Sequence, residues 1–176
     1  PYSFSGHGVP ALEWMRSAAD RHGLKIVTEV MSELEIERVA AHADILQVGS
    51  RNMQNFALLR QVGAAQKPVL LKRGRAATVS EWLMAGEYLY AGGAESVIFC
   101  ERGVRGFDGH TRNLIDLGAV ALLEHHYGLP VIVDPSHACG RRDLVLPLAR
   151  AALAAGASGV MIEVHPKPET ALSDAP

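Results

Sequence analysis

Six short apolar runs, rich in β-branched residues, recur at residues 25–30, 44–49, 68–72, 96–100, 130–134 and 159–164. Each is almost continuously hydrophobic, which suits a strand buried on both faces. Helix-like stretches separate the runs at roughly the spacing a strand-helix-strand crossover needs. Strands of this kind can be covered only by helices laid outside a parallel sheet, so the expected class is α/β. Two architectures compete. An open doubly wound sheet usually carries a glycine-rich phosphate turn after an early strand, and none follows the first run. A barrel instead distributes functional groups over the C-terminal ends of many strands. Here Glu29 ends the first run, Arg51 follows the second, and Lys72 and Arg73 close the third. Glu101 and Arg102 follow the fourth, Asp134 and His137 the fifth, and Glu163 with His165 the sixth. That distribution favours a (β/α)8 TIM barrel, with six of its eight βα units in view.

A length of 176 residues suits one catalytic domain with a sizeable core, expected over 1–176. With 17 basic against 19 acidic residues, no electrostatic reason exists to expect nucleic acid or an anionic membrane as partner. Any anion must therefore be held locally. Cys100 and Cys139 make no disulfide framework, and the apolar stretches are strand-length, so a reduced cytoplasmic setting is expected. The chain opens at Pro1 in loop chemistry, without a leader, and reads as the continuation of an earlier segment.

Ser32 with Glu35, and Thr78 with Glu81, both read as capping boxes that start helices. Residues 114–126 and 144–155 carry apolar residues at helical spacing and end at Gly128 and Gly156. Pro147 fits the second of these only in its first turn. Trp14, Met15, Trp82 and Met84 are expected to pack against the sheet, Cys100 to be core, and His125 and His126 to lie on the surface.

On a barrel rim, Arg51, Lys72, Arg73 and Arg102 would offer guanidinium forks and an ammonium suited to phosphate or carboxylate. His137, Glu163 and Asp174 supply a mixed nitrogen and oxygen set that fits a divalent ion such as manganese, iron or zinc. The competing reading makes His137 a hydrogen-bonded core histidine with Glu163 as its partner.

Five motifs in order, each at a strand end, carry a family resemblance. They are Gly49-Ser50-Arg51-Asn52-Met53-Gln54-Asn55, Leu70-Leu71-Lys72-Arg73-Gly74, Cys100-Glu101-Arg102-Gly103, Asp134-Pro135-Ser136-His137 running on to Arg141-Arg142-Asp143, and Met161-Ile162-Glu163-Val164-His165. The chain resembles the 3-deoxy-D-arabino-heptulosonate 7-phosphate (DAHP) synthases, in the subgroup related to the octulosonate 8-phosphate synthases. The resemblance implies condensation of phosphoenolpyruvate with erythrose 4-phosphate, the first step of the shikimate pathway. It assigns Arg51, Lys72 and Arg102 to phosphoenolpyruvate, and His137, Glu163 and Asp174 to a divalent metal. Glu29 becomes an acid lining the substrate pocket and Asp134 one near the metal, so that Lys72, His137, Asp134 and Glu29 form the expected catalytic group. Arg73, Arg141 and Arg142 are candidate further anion contacts, and a homo-oligomer is expected.

The chain also departs from the family pattern. It contains neither the Ala-Gly-Pro-Cys-Ser stretch that supplies the family's first metal ligand nor the Lys-Pro-Arg-Thr-Ser motif that grips the aldose phosphate. It therefore reads as strands three to eight of a barrel, lacking the first two strands and the last helix. An octulosonate 8-phosphate synthase is the enzyme alternative. A non-catalytic barrel remnant with a binding or regulatory role is the alternative of another class.

Overall fold

The computed structural model describes residues 7–171. The chain divides into two compact units, one running to Leu71 and including Trp82–Val97, the other comprising Lys72–Glu81 and the chain from Ile98 onward. In the first unit, β1 (Val27–Glu29), β2 (Ile45–Val48) and the body of β3 (Val69–Lys72) lie side by side and parallel. Thr28 stands opposite Leu46, and Gln47 opposite Leu70. The helices α1 (Val9–His22), α2 (Ile36–Ala40), α3 (Phe56–Ala64) and most of α4 (Val79–Gly92) belong to this unit. In the second unit, β4 (Val97–Glu101), β5 (Val131–Val133) and β6 (Gly159–Val160) are likewise parallel and in chain order, Cys100 standing opposite Ile132. Its helices are α5 (Leu117–Ala121), α6 (Pro135–Cys139) and α7 (Arg142–Ala154).

All six expected strands form, and each core is built from their apolar side chains. Leu46, Val48, Val69 and Leu71 are buried in the first unit, as are Phe99, Cys100, Val131 and Val133 in the second. On α4, Trp82, Ala85, Gly86 and Leu89 are buried at helical spacing, and Trp82 Nε1 donates to the Leu71 carbonyl at 3.2 Å. Trp82 thus packs as expected. Met84 is on the other side of that stripe and exposed, while α1 buries only Ala19 and leaves Trp14 and Met15 uncovered by the described residues.

Several local expectations are corrected. Ser32 makes no side-chain cap; a 3-10 turn over Glu33–Glu35 sends the Glu35 N–H to the Ser32 carbonyl instead, and α2 begins later. The Thr78 box does form: Glu81 N–H donates to Thr78 Oγ1, and Thr78 N–H donates to Glu81 Oε2 at 2.7 Å. The helix expected from residue 114 starts at Leu117, where Asp116 accepts from the Ala119 N–H, and widens to a π turn over Leu122–Tyr127 before its left-handed cap at Gly128. Because α7 begins at Arg142, Pro147 falls inside the helix rather than in its first turn. The sixth run is strand only at Gly159–Val160, and Glu163, beyond it, is exposed and outside any helix or strand.

Candidate active site

Asp134 organises the second unit's strand ends. It follows β5 directly and is fully buried. Its Oδ1 caps α6 by accepting from the His137 N–H at 3.0 Å, with Pro135 in the first helical position. Its Oδ2 is shared between Lys72 Nζ at 2.9 Å and His137 Nδ1 at 2.8 Å. Burial works to raise this carboxyl, but the His137 ring, the Lys72 ammonium and the His137 N–H outweigh it and hold it at about 2. Through that contact the Asp134 carboxylate fixes the orientation of the His137 ring.

Arg102 is the second element of the site. Its side chain is 8 % exposed, and its buried Nη1 has no hydrogen-bond partner. Burial lowers its pKa, Asp134 opposes that, and the nearby Arg75 and Arg112 add to the lowering. Three guanidinium groups therefore contribute positive potential in this unit beside the Lys72 ammonium.

A separate buried network ties the same strand ends together. Lys72 and Arg73 are adjacent, so the pleat sends them to opposite sides. Arg73 Nη1 bonds Glu101 Oε2 at 2.9 Å and Asp116 Oδ2 at 3.0 Å, and its Nε donates to the Ala77 carbonyl. Glu101 Oε1 accepts from the Gly103 N–H at 2.7 Å. Burial pushes Glu101 above the usual glutamate range against the pull of Arg73. Arg73, expected as a further anion contact, is committed to carboxylates. Asn113 Nδ2 donates to the His137 carbonyl, anchoring that turn. Sequence reasoning missed Asn113 and Asp116. An acid directly before an apolar helical run was the available signal for Asp116.

The remaining expected residues are placed as follows. Glu29 and Arg51 belong to the first unit. Glu29 ends β1, and its carboxyl carbon lies 2.8 Å from where a side chain on Gly49 would begin. Arg51 is exposed in a 3-10 turn after β2. Arg141 makes two bonds to Asp143 on the surface, and Arg142 opens α7. Glu163 offers its N–H to Ser136 Oγ at 3.0 Å, while Asp174 lies outside the described residues. Among the described residues no group of three or more His, Cys, Asp or Glu could hold a metal ion. Of the three expected ligands, His137 and Glu163 are among the described residues and Asp174 is not. Burial raises the Cys100 thiol far above its usual range, as a core cysteine requires. No described helix is long and apolar enough to cross a membrane.

The family model for the DAHP synthetase I family matches residues 1–176. The chain belongs to that family. Among DAHP synthetase I relatives, the phospho-2-dehydro-3-deoxyheptonate aldolase of Thermotoga maritima is 52 % identical over 174 residues, 99 % of this chain and 52 % of the relative. A 2-dehydro-3-deoxyphosphooctonate aldolase of Acidithiobacillus ferrooxidans is 32 % identical over 186 residues, covering 99 % of this chain and 65 % of that protein. The crystal structure of the Thermotoga DAHP synthase superposes with a TM-score of 0.95 over 99 % of this chain and 52 % of that one. A truncated form of the Thermotoga enzyme gives 0.93 at 51 % identity, over 97 % of this chain and 64 % of that one. The chain thus spans between about half and two thirds of the relatives it matches. Similarity at this level establishes the α/β-barrel fold of DAHP synthetase I, to which this chain contributes six parallel strands.

Proposed function

We propose that the full-length protein is a 3-deoxy-7-phosphoheptulonate synthase. It would join phosphoenolpyruvate to erythrose 4-phosphate and release phosphate, opening the shikimate route to aromatic amino acids. The observation that carries this reading is the buried, unpartnered Nη1 of Arg102 in a chain of this family. A buried donor without an acceptor costs about 1–3 kcal/mol, and a phosphate or carboxylate oxygen is the acceptor a guanidinium suits best.

Arg102 and Lys72 would hold the phosphoenolpyruvate anion, and the family resemblance gives Arg51 the same role. Asp134 holds the Lys72 ammonium and the His137 ring, and the family resemblance gives Glu29 to the substrate pocket. The enol carbon forms its bond to the aldehyde carbon, water adds at the carbon bearing phosphate, and the bond from that carbon to the phosphate oxygen then breaks. The cations hold the same anion through both additions, which keeps the reacting atoms in register. His137, Glu163 and Asp174 would hold a divalent ion, which when bound polarises the aldehyde oxygen. A cytoplasmic homo-oligomer is the proposed setting.

An octulosonate 8-phosphate synthase would use the same chemistry on a pentose phosphate. The 52 % against 32 % identity favours the heptulosonate reading, as does the Asn52-Met53-Gln54-Asn55 stretch. The test offers each aldose phosphate with phosphoenolpyruvate to the full-length protein and follows phosphate release. Turnover with erythrose 4-phosphate, abolished by a chelator and restored by a divalent ion, is expected. Preference for the pentose phosphate would transfer the assignment to the rival. No turnover with either, and no change in metal binding on His137→Ala, would leave only a non-catalytic domain.

A further inference from the structure

We propose that Asn113 is a positioning residue that fixes His137 for the divalent ion through the bond it gives to the His137 carbonyl. This rests on the reading that His137 is a ligand of that ion. His137 sits on α6, a helix of five residues. A helix that short does not hold its own shape in water, and its last carbonyls have no partner within it. Whatever meets those carbonyls therefore sets where His137 stands.

The last three carbonyls of α6 are all met from one place, the loop between β4 and α5. The Arg112 N–H donates to the Cys139 carbonyl at 3.0 Å, the Asn113 N–H to that of Ala138 at 2.7 Å, and Asn113 Nδ2 to that of His137 at 3.1 Å. From the other end of α6, Asp134 accepts from the His137 N–H at 3.0 Å, and its second oxygen meets the ring at 2.8 Å. The N–H and the carbonyl of His137 are thus both held by side chains. Both of these side chains are buried, Asp134 completely and Asn113 to 5 % exposure. Asn113 is itself held in place. Val104 and Leu114 exchange backbone bonds of 2.9 Å beside it, and its Cβ lies against Gly103, where an added Cβ would stand 2.7 Å from that atom.

Docking the loop is a poor account of this amide. The two backbone bonds from Arg112 and Asn113 would form with any residue but proline at 113, and the side chain adds only the bond to residue 137. A buried amide is costly unless it is bonded, so an apolar side chain would serve mere packing at least as well. Groups that bond a metal-ligating histidine from outside the coordination shell act instead by fixing its orientation.

The test strips the full-length protein of metal and measures its affinity for manganese and for phosphoenolpyruvate by calorimetry, with thermal melting of every variant. Asn113→Ala keeps the Cβ against Gly103 and both backbone bonds to α6, and removes only the donor to the His137 carbonyl. It should weaken manganese binding at least about tenfold, the scale of losing a group that orients a metal ligand. Phosphoenolpyruvate affinity should stay within about threefold of wild type, since Arg102 keeps its place and Lys72 its bond to Asp134. Thr78→Ala, which removes the cap of α4, is the stability control and should leave both affinities within about threefold. A manganese loss smaller than about tenfold in Asn113→Ala overturns the proposal. So does a parallel loss of phosphoenolpyruvate affinity, or an equal manganese loss in Thr78→Ala, because either is the mark of a merely structural role. If Asn113→Ala does not fold, Asn113→Ser, whose hydroxyl is too short to reach the carbonyl, decides by the same thresholds. His137→Ala separates the two readings. If it leaves manganese binding unchanged, the metal assignment of His137 fails and takes this inference with it. If it abolishes binding while Asn113→Ala does not alter it, only this inference fails.

Discussion

Asp44 shows how one carboxylate can fix the start of a strand. It accepts from the Ile26 N–H at 2.8 Å and from Arg16 Nη1 at 2.9 Å, and Lys25 Nζ lies 3.3 Å away. The backbone bond from Ile26 contributes most, and with Arg16 it holds the carboxyl well below the usual range. A carboxyl whose pKa is lower in the fold than in the unfolded chain stabilises the fold above its unfolded value and loses that contribution as pH falls. Asp44→Asn should therefore destabilise the protein at neutral pH. The gap from wild type should narrow as pH drops below about 4. Urea unfolding across that range checks it, and a gap that stays constant would remove ionisation from the account. At this scale, residue type was readable and partner was not. Lys72 and Arg73 looked equivalent as strand-end cations, yet the pleat gives one to Asp134 and the other to Glu101.

Helix starts separate local chemistry from its context. The Ser32 and Thr78 boxes have the same spacing, but only Thr78 exchanges bonds with its glutamate. After Ser32 the chain tightens into a 3-10 turn, which uses the Ser32 carbonyl as acceptor and leaves the hydroxyl out. Thr78→Ala should cost about 1 kcal/mol. Ser32→Ala should stay within about 0.5 kcal/mol. Chemical denaturation of the two variants side by side decides, and equal losses would mean that the hydroxyl of Ser32 is also a cap. Pro147 was legible as a constraint but not as an exception: the helix begins two residues before the expected start and carries the ring beyond its first turn. The β6 run carried the hydrophobic pattern of a longer strand, but pairing to β5 reaches only Val160, so the Glu163 position could not be inferred from periodicity.

Strand order was the most legible feature, because helical stretches separate the successive runs and parallel neighbours come next in sequence. The site was legible only in part. The second unit brings Lys72, Asp134 and His137 together, whereas the expected metal set draws on Asp174, outside the described residues. Among the described residues β1 pairs only with β2, and β6 only with β5, so each has an edge of unpaired backbone groups. Parallel edges of this kind are templates for association with other chains, and the Thermotoga relative is about twice as long as the matched region. Residues 1–176 produced alone should therefore associate progressively with concentration and show no condensation activity, while the full-length protein turns over. Size-exclusion chromatography over a dilution series, with the phosphate-release assay on the same fractions, checks both halves of that expectation. A monodisperse and active 176-residue protein would show instead that these six strands suffice to build the site.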